Sequence, residues 1–348
     1  MVLPSGGRLG GRSKVTSSEA SYGAICSVFG DPHYRTFDGR IFNFQGTCDY
    51  ILAQTRDHNE ITVIVRNDAR LNEQYAWTKS IRIQVGGAKI YFLQKSRVKV
   101  NRKRVVLPYV HRRSKFSVVT DGRLVALKTP SGIKVSWDGD SYLEVYVPRD
   151  MKNAMRGLCG NYNNDRSDDF IGQGGALYVD AEQFANTWLT GRRRCRRNSP
   201  TSVNVPSTRC QSDQLRLEKA KVPCTALYGK GFERCRSSLE VEQYFSSCIT
   251  DMCECDNGTR CFCVSILAYV RACTLMGFDV QRHLPAVCKG VRIPKHVSGL
   301  LISLWESANS LFVRDKYVTP TGKRLHAGYV QKVEARKNIP FDTTARSK

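Results

Sequence analysis

Fourteen cysteines, all lying between Cys26 and Cys288, constrain this 348-residue chain more than any other feature. Their number is even and their density high, which argues for an oxidising compartment and a disulfide framework. The chain is therefore read as secreted, in the extracellular space or cell-surface matrix. Residues 1–22 are rich in Gly, Ser and Arg, with no apolar stretch of signal-peptide type. They are expected to be disordered, and the chain is expected to lack its natural start. The cysteines are also unevenly spread. Only Cys26, Cys48, Cys159 and Cys195 precede residue 200, and ten crowd into 210–288.

The cysteine-poor part reads as strand. Ile61-Thr-Val-Ile-Val65 and Ile81-Arg-Ile-Gln-Val85 alternate or run β-branched. Gly86-Gly87 then leads into Lys89–Leu93, a hairpin signal. Further strands are expected at Phe116–Thr120, Leu124–Lys128, Ile133–Trp137 and Tyr142–Val147, separated by Asp-Gly and Ser-Gly turns. Many short strands at regular spacing predict a mainly β fold, an antiparallel β-sandwich. From 210 onward the period changes. Ser237-x-x-Glu240 reads as a capping box. Leu239, Val241, Phe245, Cys248, Ile249 and Met252 follow at helical spacing, and a second helix is expected over Val264–Leu275. This part reads as a small α-helical module too small to hold without disulfide staples.

Charge narrows the partners. Lys and Arg number 54 against 31 Asp and Glu, a net +23, which favours polyanions. Hydrophobic residues at 41% exclude wholesale disorder, and no apolar run approaches the ~18 residues a membrane span needs. Nine basic residues, Lys95, Arg97, Lys99, Arg102, Lys103, Arg104, Arg112, Arg113 and Lys115, fall in a window without one acid. Lys95, Arg97 and Lys99 alternate and would share a strand face. In an extracellular setting the matching polyanion is heparan sulfate proteoglycan, not nucleic acid; the competing reading is a solvated positive face. Arg192-Arg-Arg-Cys-Arg-Arg197 is a second basic cluster.

Asn161, Asn163, Asp165, Asp168 and Asp169 set five oxygen-bearing side chains within nine residues. That density suits a calcium ion, which takes six to eight oxygens, but it lacks the full spacing of an EF-hand, and spacing alone somewhat favours an Asx-rich turn that caps itself. Cys253-x-Cys255 and Cys261-x-Cys263 could hold zinc in a cytosolic protein. Ten crowded cysteines outnumber one zinc site, so disulfides are preferred. Asn257-Gly-Thr259 is the one glycosylation sequon. No H-E-x-x-H, G-x-S-x-G or phosphate loop is present, so no enzyme is expected.

Three segments carry a resemblance. Cys26-Ser-Val-Phe-Gly-Asp-Pro-His-Tyr-Arg-Thr-Phe-Asp-Gly39 through Gly46-Thr-Cys48 resembles the opening of a von Willebrand factor type D domain. Gly157-Leu-Cys-Gly-Asn-Tyr-Asn-Asn-Asp-Arg-Ser-Asp-Asp169 resembles its calcium loop, and 210–288 resembles the C8 module that follows such domains. The implied organisation is a type D domain over 23–197, a C8 module over 205–290 and an unassigned basic tail over 291–348. Trp77-Thr-Lys-Ser80, Val135–Ser141 and Thr250-Asp-Met-Cys-Glu-Cys255 look most like the crossveinless-type branch, the BMP-binding endothelial regulators. That branch implies a modulator of bone morphogenetic protein signalling, held by heparan sulfate. It would meet bone morphogenetic proteins or their antagonists through upstream type C repeats, of which none is present here. The rival reading is a structural unit of a mucin-like or other matrix glycoprotein.

The resemblance further implies the pairs Cys26–Cys159, Cys48–Cys195, Cys210–Cys253, Cys224–Cys248, Cys235–Cys273, Cys255–Cys261 and Cys263–Cys288. It adds Asp38 to Asn161, Asn163, Asp168 and Asp169 as calcium ligands, with Asp165 at the margin. It also implies self-cleavage between Asp31 and Pro32 with His33 as proton donor. The alternative there is a rigid turn into the first strand.

Overall fold

A computed structural model describes residues 23–289, apart from 31, 58–59, 70–75, 122–123, 141, 192–207 and 256–260. Both the expected N-terminal segment and the basic tail lie outside the described residues. Fifteen strands come first: β1 Ala24–Phe29, β2 His33–Arg35, β3 Ile41–Asn43, β4 Asp49–Thr55, β5 Ile61–Ala69, β6 Ala76–Val85, β7 Ala88–Leu93 and β8 Arg97–Val100. They continue with β9 Lys103–Arg104, β10 Tyr109–His111, β11 Phe116–Asp121, β12 Leu124–Lys128, β13 Lys134–Trp137, β14 Tyr142–Val147 and β15 Met155–Arg156. Six α-helices follow among the described residues: α1 Ala181–Thr187, α2 Thr208–Gln211, α3 Gln214–Cys224, α4 Glu233–Arg236, α5 Glu242–Glu254 and α6 Phe262–Leu275.

The strands form two antiparallel sheets. One runs β10-β11-β12-β13-β14-β1-β2-β3 and the other β15-β4-β5-β6-β7-β8-β9. Alternation decides which side chains meet between them. In β7, Ala88, Ile90 and Phe92 are buried while Lys89, Tyr91 and Leu93 face outward. In β8, Val98 and Val100 are buried between exposed Arg97 and Lys99. These residues join Trp137, Phe116, Val145 and Leu52 in one core. Gly86 and Gly87 link β6 to β7 with φ of 51° and 81°, the positive values that a two-residue hairpin needs.

The helical part departs from the sequence expectation at its start. Ser237 does not cap α5. Its hydroxyl donates back to the Arg234 carbonyl at 2.8 Å, closing α4, and Glu240 pairs instead with Arg166 of the sheet domain. Helix α5 begins after Val241 without a side-chain cap. Helix α3 escaped the sequence reading because it buries only Ala220 and Cys224 and contains Pro223, so it has no apolar stripe. Its start was legible in Asp213, whose carboxylate accepts from the Arg216 amide at 2.9 Å. Disulfide Cys224–Cys248 holds it to α5, Cys210–Cys253 ties α2 to α5, and Cys235–Cys273 ties α4 to α6.

The helices pack against the sandwich through a seam that is itself core. Phe29 and Tyr142 from β1 and β14 belong to the helical module's hydrophobic cluster, and Phe29 stacks on Tyr244 at 6.0 Å. Besides the exposed Arg166–Glu240 pair, buried polar contacts cross the seam. Arg271 of α6 binds Glu144 of β14 through two hydrogen bonds of 3.1 Å, both residues being over 90% buried. Tyr142 donates a third to Glu144 at 3.0 Å. His33 of β2 meets Asp251 of α5 at 2.9 Å, and the Ser265 hydroxyl donates to the same carboxylate at 2.8 Å.

Such a pair is costly to break and cheap to replace. Glu144→Ala should lower unfolding free energy by about 3–5 kcal/mol, because the Arg271 charge stays buried without its partner. The double change Glu144→Leu with Arg271→Met should recover most of that loss. Denaturant unfolding of the three proteins checks it; equal loss in the single and double variants would refute it.

Candidate functional site

The acidic loop is assembled by two segments that a disulfide holds together. Cys159 is joined to Cys26 of β1 and its carbonyl accepts from the Phe37 amide at 2.9 Å. A tight turn follows at 36–40, where the Thr36 amide bonds the Arg40 carbonyl and the Arg40 amide donates to the Thr36 hydroxyl. The turn presents Asp38 to the loop. Its two oxygens accept from the Asn163 and Asn164 amides at 3.0 and 2.8 Å. Asp168 accepts from the side-chain amides of Asn161 and Asn163 at 3.0 and 2.8 Å. Asp169 accepts from the Thr36 hydroxyl at 2.6 Å. A Cβ on Gly160 would lie 1.9 Å from Asp169, so only glycine lets the loop close around that carboxylate.

Four sequence-predicted ligands, Asn161, Asn163, Asp168 and Asp169, thus converge with Asp38, and two oxygens are left over. Asp169 Oδ1 and Asn161 Oδ1 are buried without a hydrogen-bond partner. Asp169 is 1% exposed and its carboxyl is pushed up to about 7, by burial first and then by the charges of Asp38 and Asp168, against the lowering effect of Thr36. Asp165 lies apart. It is fully exposed and accepts from the Ser167 hydroxyl and amide at 2.6 and 2.9 Å, which hold its carboxyl below the usual range. The self-capping Asx turn is real at 163–167 but does not account for Asp38, Asp168 and Asp169. Among the described residues no three His, Cys, Asp or Glu side chains are arranged to hold a metal on their own. A cation here would draw on amide oxygens as well.

The basic window divides. Arg97, Lys99 and Arg104 face outward on the second sheet, with Lys99 opposite both Arg104 and Tyr91. Lys95 and Arg102 stand at the neighbouring turns with φ of 58° and 70°, and Lys103 lies on the edge strand. Arg112, Arg113 and Lys115 belong to the β10–β11 turn of the other sheet, where Ser114 donates to the Gly86 carbonyl at 2.9 Å. Strand register adds two residues that sequence reading missed. Arg82 lies opposite Tyr91, in the same cross-strand row as Lys99 and Arg104, and Lys89 is exposed on the same face. Asp49 offsets part of this charge, 3.7 Å from Arg66 and 4.0 Å from Arg82.

The remaining predicted residues are separate. The turn holding Pro32 joins β1 to β2 rather than entering the first strand, and Asp31 lies outside the described residues. His33 is fully buried, its ring nitrogens facing Asn43 at 2.7 Å and Asp251 at 2.9 Å. The four C-x-C thiols are in disulfides: Cys253 with Cys210, Cys255 with Cys261, and Cys263 with Cys288. None is left as a zinc ligand. Cys48 is disulfide-bonded, while Cys195, the Arg192–Arg197 cluster and Asn257 lie outside the described residues.

Comparison with known proteins gives this architecture its context. A family model for the von Willebrand factor type D domain matches residues 26–176, and one for the C8 domain matches 223–289. SCO-spondin of Gallus gallus is 29% identical over 90% of this chain. Zonadhesin of Sus scrofa is 33% identical over 74%, and mucin-5AC of Homo sapiens 28% over 76%. The chain spans 6%, 10% and 5% of the length of these three relatives.

The state of Asp169 is measurable. An acid whose folded pKa lies near 7 against an ordinary 3.8 binds a proton that unfolding releases. Its stabilising contribution is complete below about pH 4 and is lost as pH rises through about 7. In chelator, the melting temperature should therefore fall across that window. Asp169→Asn should flatten the fall, and a variant with the parent's slope would exclude Asp169 as its source.

Proposed function

We propose that this chain, which carries a von Willebrand factor type D domain followed by a C8 domain, is a non-enzymatic structural unit of a mucin-like or other secreted matrix glycoprotein. The observation that carries the reading is the complete pairing of the described cysteines, none of which is free. Such pairing suits an oxidising extracellular setting and a unit closed on itself rather than one that links to others through spare thiols. The relatives found, SCO-spondin, zonadhesin and mucin-5AC, favour this reading over a specific signalling role. Among the described residues no helix is long and apolar enough to cross a membrane. A second reading, the crossveinless-type modulator of bone morphogenetic proteins, rests on the motifs at Trp77–Ser80, Val135–Ser141 and Thr250–Cys255.

Two ligands belong to the proposal. Calcium would sit among Asp38, Asn161, Asn163, Asp168 and Asp169. The two orphaned buried oxygens and the crowding of three acids support it, since a hard cation takes oxygen ligands and relieves carboxylate repulsion. Heparan sulfate would lie across the outer face of the second sheet. There Arg97, Lys99 and Arg104 stand in register beside Arg82 and Lys89, and guanidinium groups can give sulfate two hydrogen bonds at once.

Expression with a secretory leader tests the structural reading. The product should run as a monomer on non-reducing electrophoresis with no titratable thiol. Disulfide-linked dimers would instead make it a polymerising link, and direct capture by a bone morphogenetic protein would bring the second reading forward. For the glycan, Arg97→Ser with Lys99→Ser and Arg104→Ser should move heparin elution to markedly lower salt. Each exposed contact is worth about 1 kcal/mol or less, so the loss must be collective. Elution at the parent's salt concentration would reduce the face to solvated charge.

A further inference from the structure

The turn that presents Asp38 also presents Arg40, and nothing in the proposed calcium set accounts for that charge. Its guanidinium lies 3.4 Å over the ring of Phe170, next in sequence to Asp169, and its Nη1 approaches the Ser167 carbonyl at 3.5 Å. The platform is rigid. Phe170 is buried, stacked on Phe184 at 4.5 Å and edge-on to Phe42 at 5.1 Å. The Arg40 amide is fixed to Thr36, the residue whose hydroxyl grips Asp169. The guanidinium is thus held beside the acidic loop by stacking below and by its own turn behind.

We propose that Arg40 is a resident positive charge that weakens divalent-cation binding at this loop and so sets its affinity. The inference rests on the calcium reading above. The loop supplies the independent evidence that a ligand is missing: Asp169 Oδ1 and Asn161 Oδ1 are unpartnered in side chains that are 1% and 7% exposed. A cation satisfying them would bind near a guanidinium that is always charged and rests over the Phe170 ring. Arg40 is partly desolvated, and Asp169 is among the charges it feels, so its field reaches the site with less screening than an exposed lysine would give. Without a cation, the same charge offsets some of the repulsion among Asp38, Asp168 and Asp169. The cation-free loop is therefore tolerable, and calcium binds it more weakly than it would without that charge.

Calorimetric titration of the full chain with calcium chloride, after chelation and dialysis, tests this. Arg40→Met keeps an unbranched stem over Phe170 and removes the charge; Arg40→Lys keeps a charge; Arg40→Gln is a second neutral variant. Both neutral variants should bind calcium roughly tenfold more tightly than the parent, and Arg40→Lys should stay close to it. Melting in chelator reports folding separately. Neutral variants that bind no more tightly, while the parent binds and Asp169→Asn does not, would leave the calcium site standing and overturn the role of Arg40. Failure of the parent and both neutral variants to bind would overturn the calcium reading itself, and this role with it.

Discussion

The covalent tie between Cys26 and Cys159 is the constraint on which the sandwich domain's site depends. Cys26 lies on β1, inside the first sheet, and is hydrogen-bonded through its strand to β14 on one side and β2 on the other. Cys159 sits in the segment that turns away from β15 toward the acidic loop. Joining them brings residues 133 positions apart to 5.6 Å between Cα atoms. From that anchor the Phe37 amide reaches the Cys159 carbonyl, and Asp38 is carried onto the Asn163 and Asn164 amides. The acids meet because the backbone is held. Burial first, and then the nearby charges of Asp38 and Asp168, raise the Asp169 carboxyl, and this scaffold imposes both.

A second dependence runs across the seam between the sandwich and the helices. Glu144 and Arg271 would each be costly alone in a buried setting, and Tyr142 supplies a further donor that makes the pair tolerable. The seam is selective as well as adhesive. Gly30 has φ +64°, and a Cβ there would lie 2.6 Å from the Asp251 carboxylate, so the backbone of the β1–β2 turn must pass close under α5. Phe29, Tyr142 and Ile41 extend the helical cluster into the sheet domain. The C8 helices thus borrow apolar surface from the sandwich, which eases the shortage of core that a disulfide-rich module of this size faces.

Much of the sandwich was legible because its strands bury one face. Leu124–Lys128 and Tyr142–Val147 match the observed strands residue for residue, and the Gly86-Gly87 hairpin lies where its dipeptide placed it. What escaped was set by tertiary partners. Ser237 and Glu240 have capping-box spacing, yet the hydroxyl turned to α4 and the carboxylate to Arg166, 74 residues away. Helix α3 lacks an apolar period, burying only Ala220 and Cys224, and is held to α5 by Cys224–Cys248. At the site, the acidic run was visible as composition, but the burial that isolates Asp169 from Asp165 was not. The basic window looked continuous along the chain and proved to span two sheets. Arg82 and Lys89 became part of its face only once strand register was known. His33 reads locally as a proton donor for its neighbour, while its partner Asp251 stands 218 residues further on.

The same Cys26–Cys159 bond has a mechanical meaning. A tether pulling on the chain on either side of the sandwich would transmit its load through this disulfide. The polypeptide between the two sulfurs is bypassed, which withholds roughly 450 Å of extended contour from stretching. The Asp38 turn and the basic rows of β6 to β9 lie within the shielded length, whereas Asn161, Asn163, Asp168 and Asp169 follow Cys159 and lie outside it. Load applied across the domain would therefore reach the acidic loop at 161–169 first, while the basic rows could extend only once this disulfide is reduced.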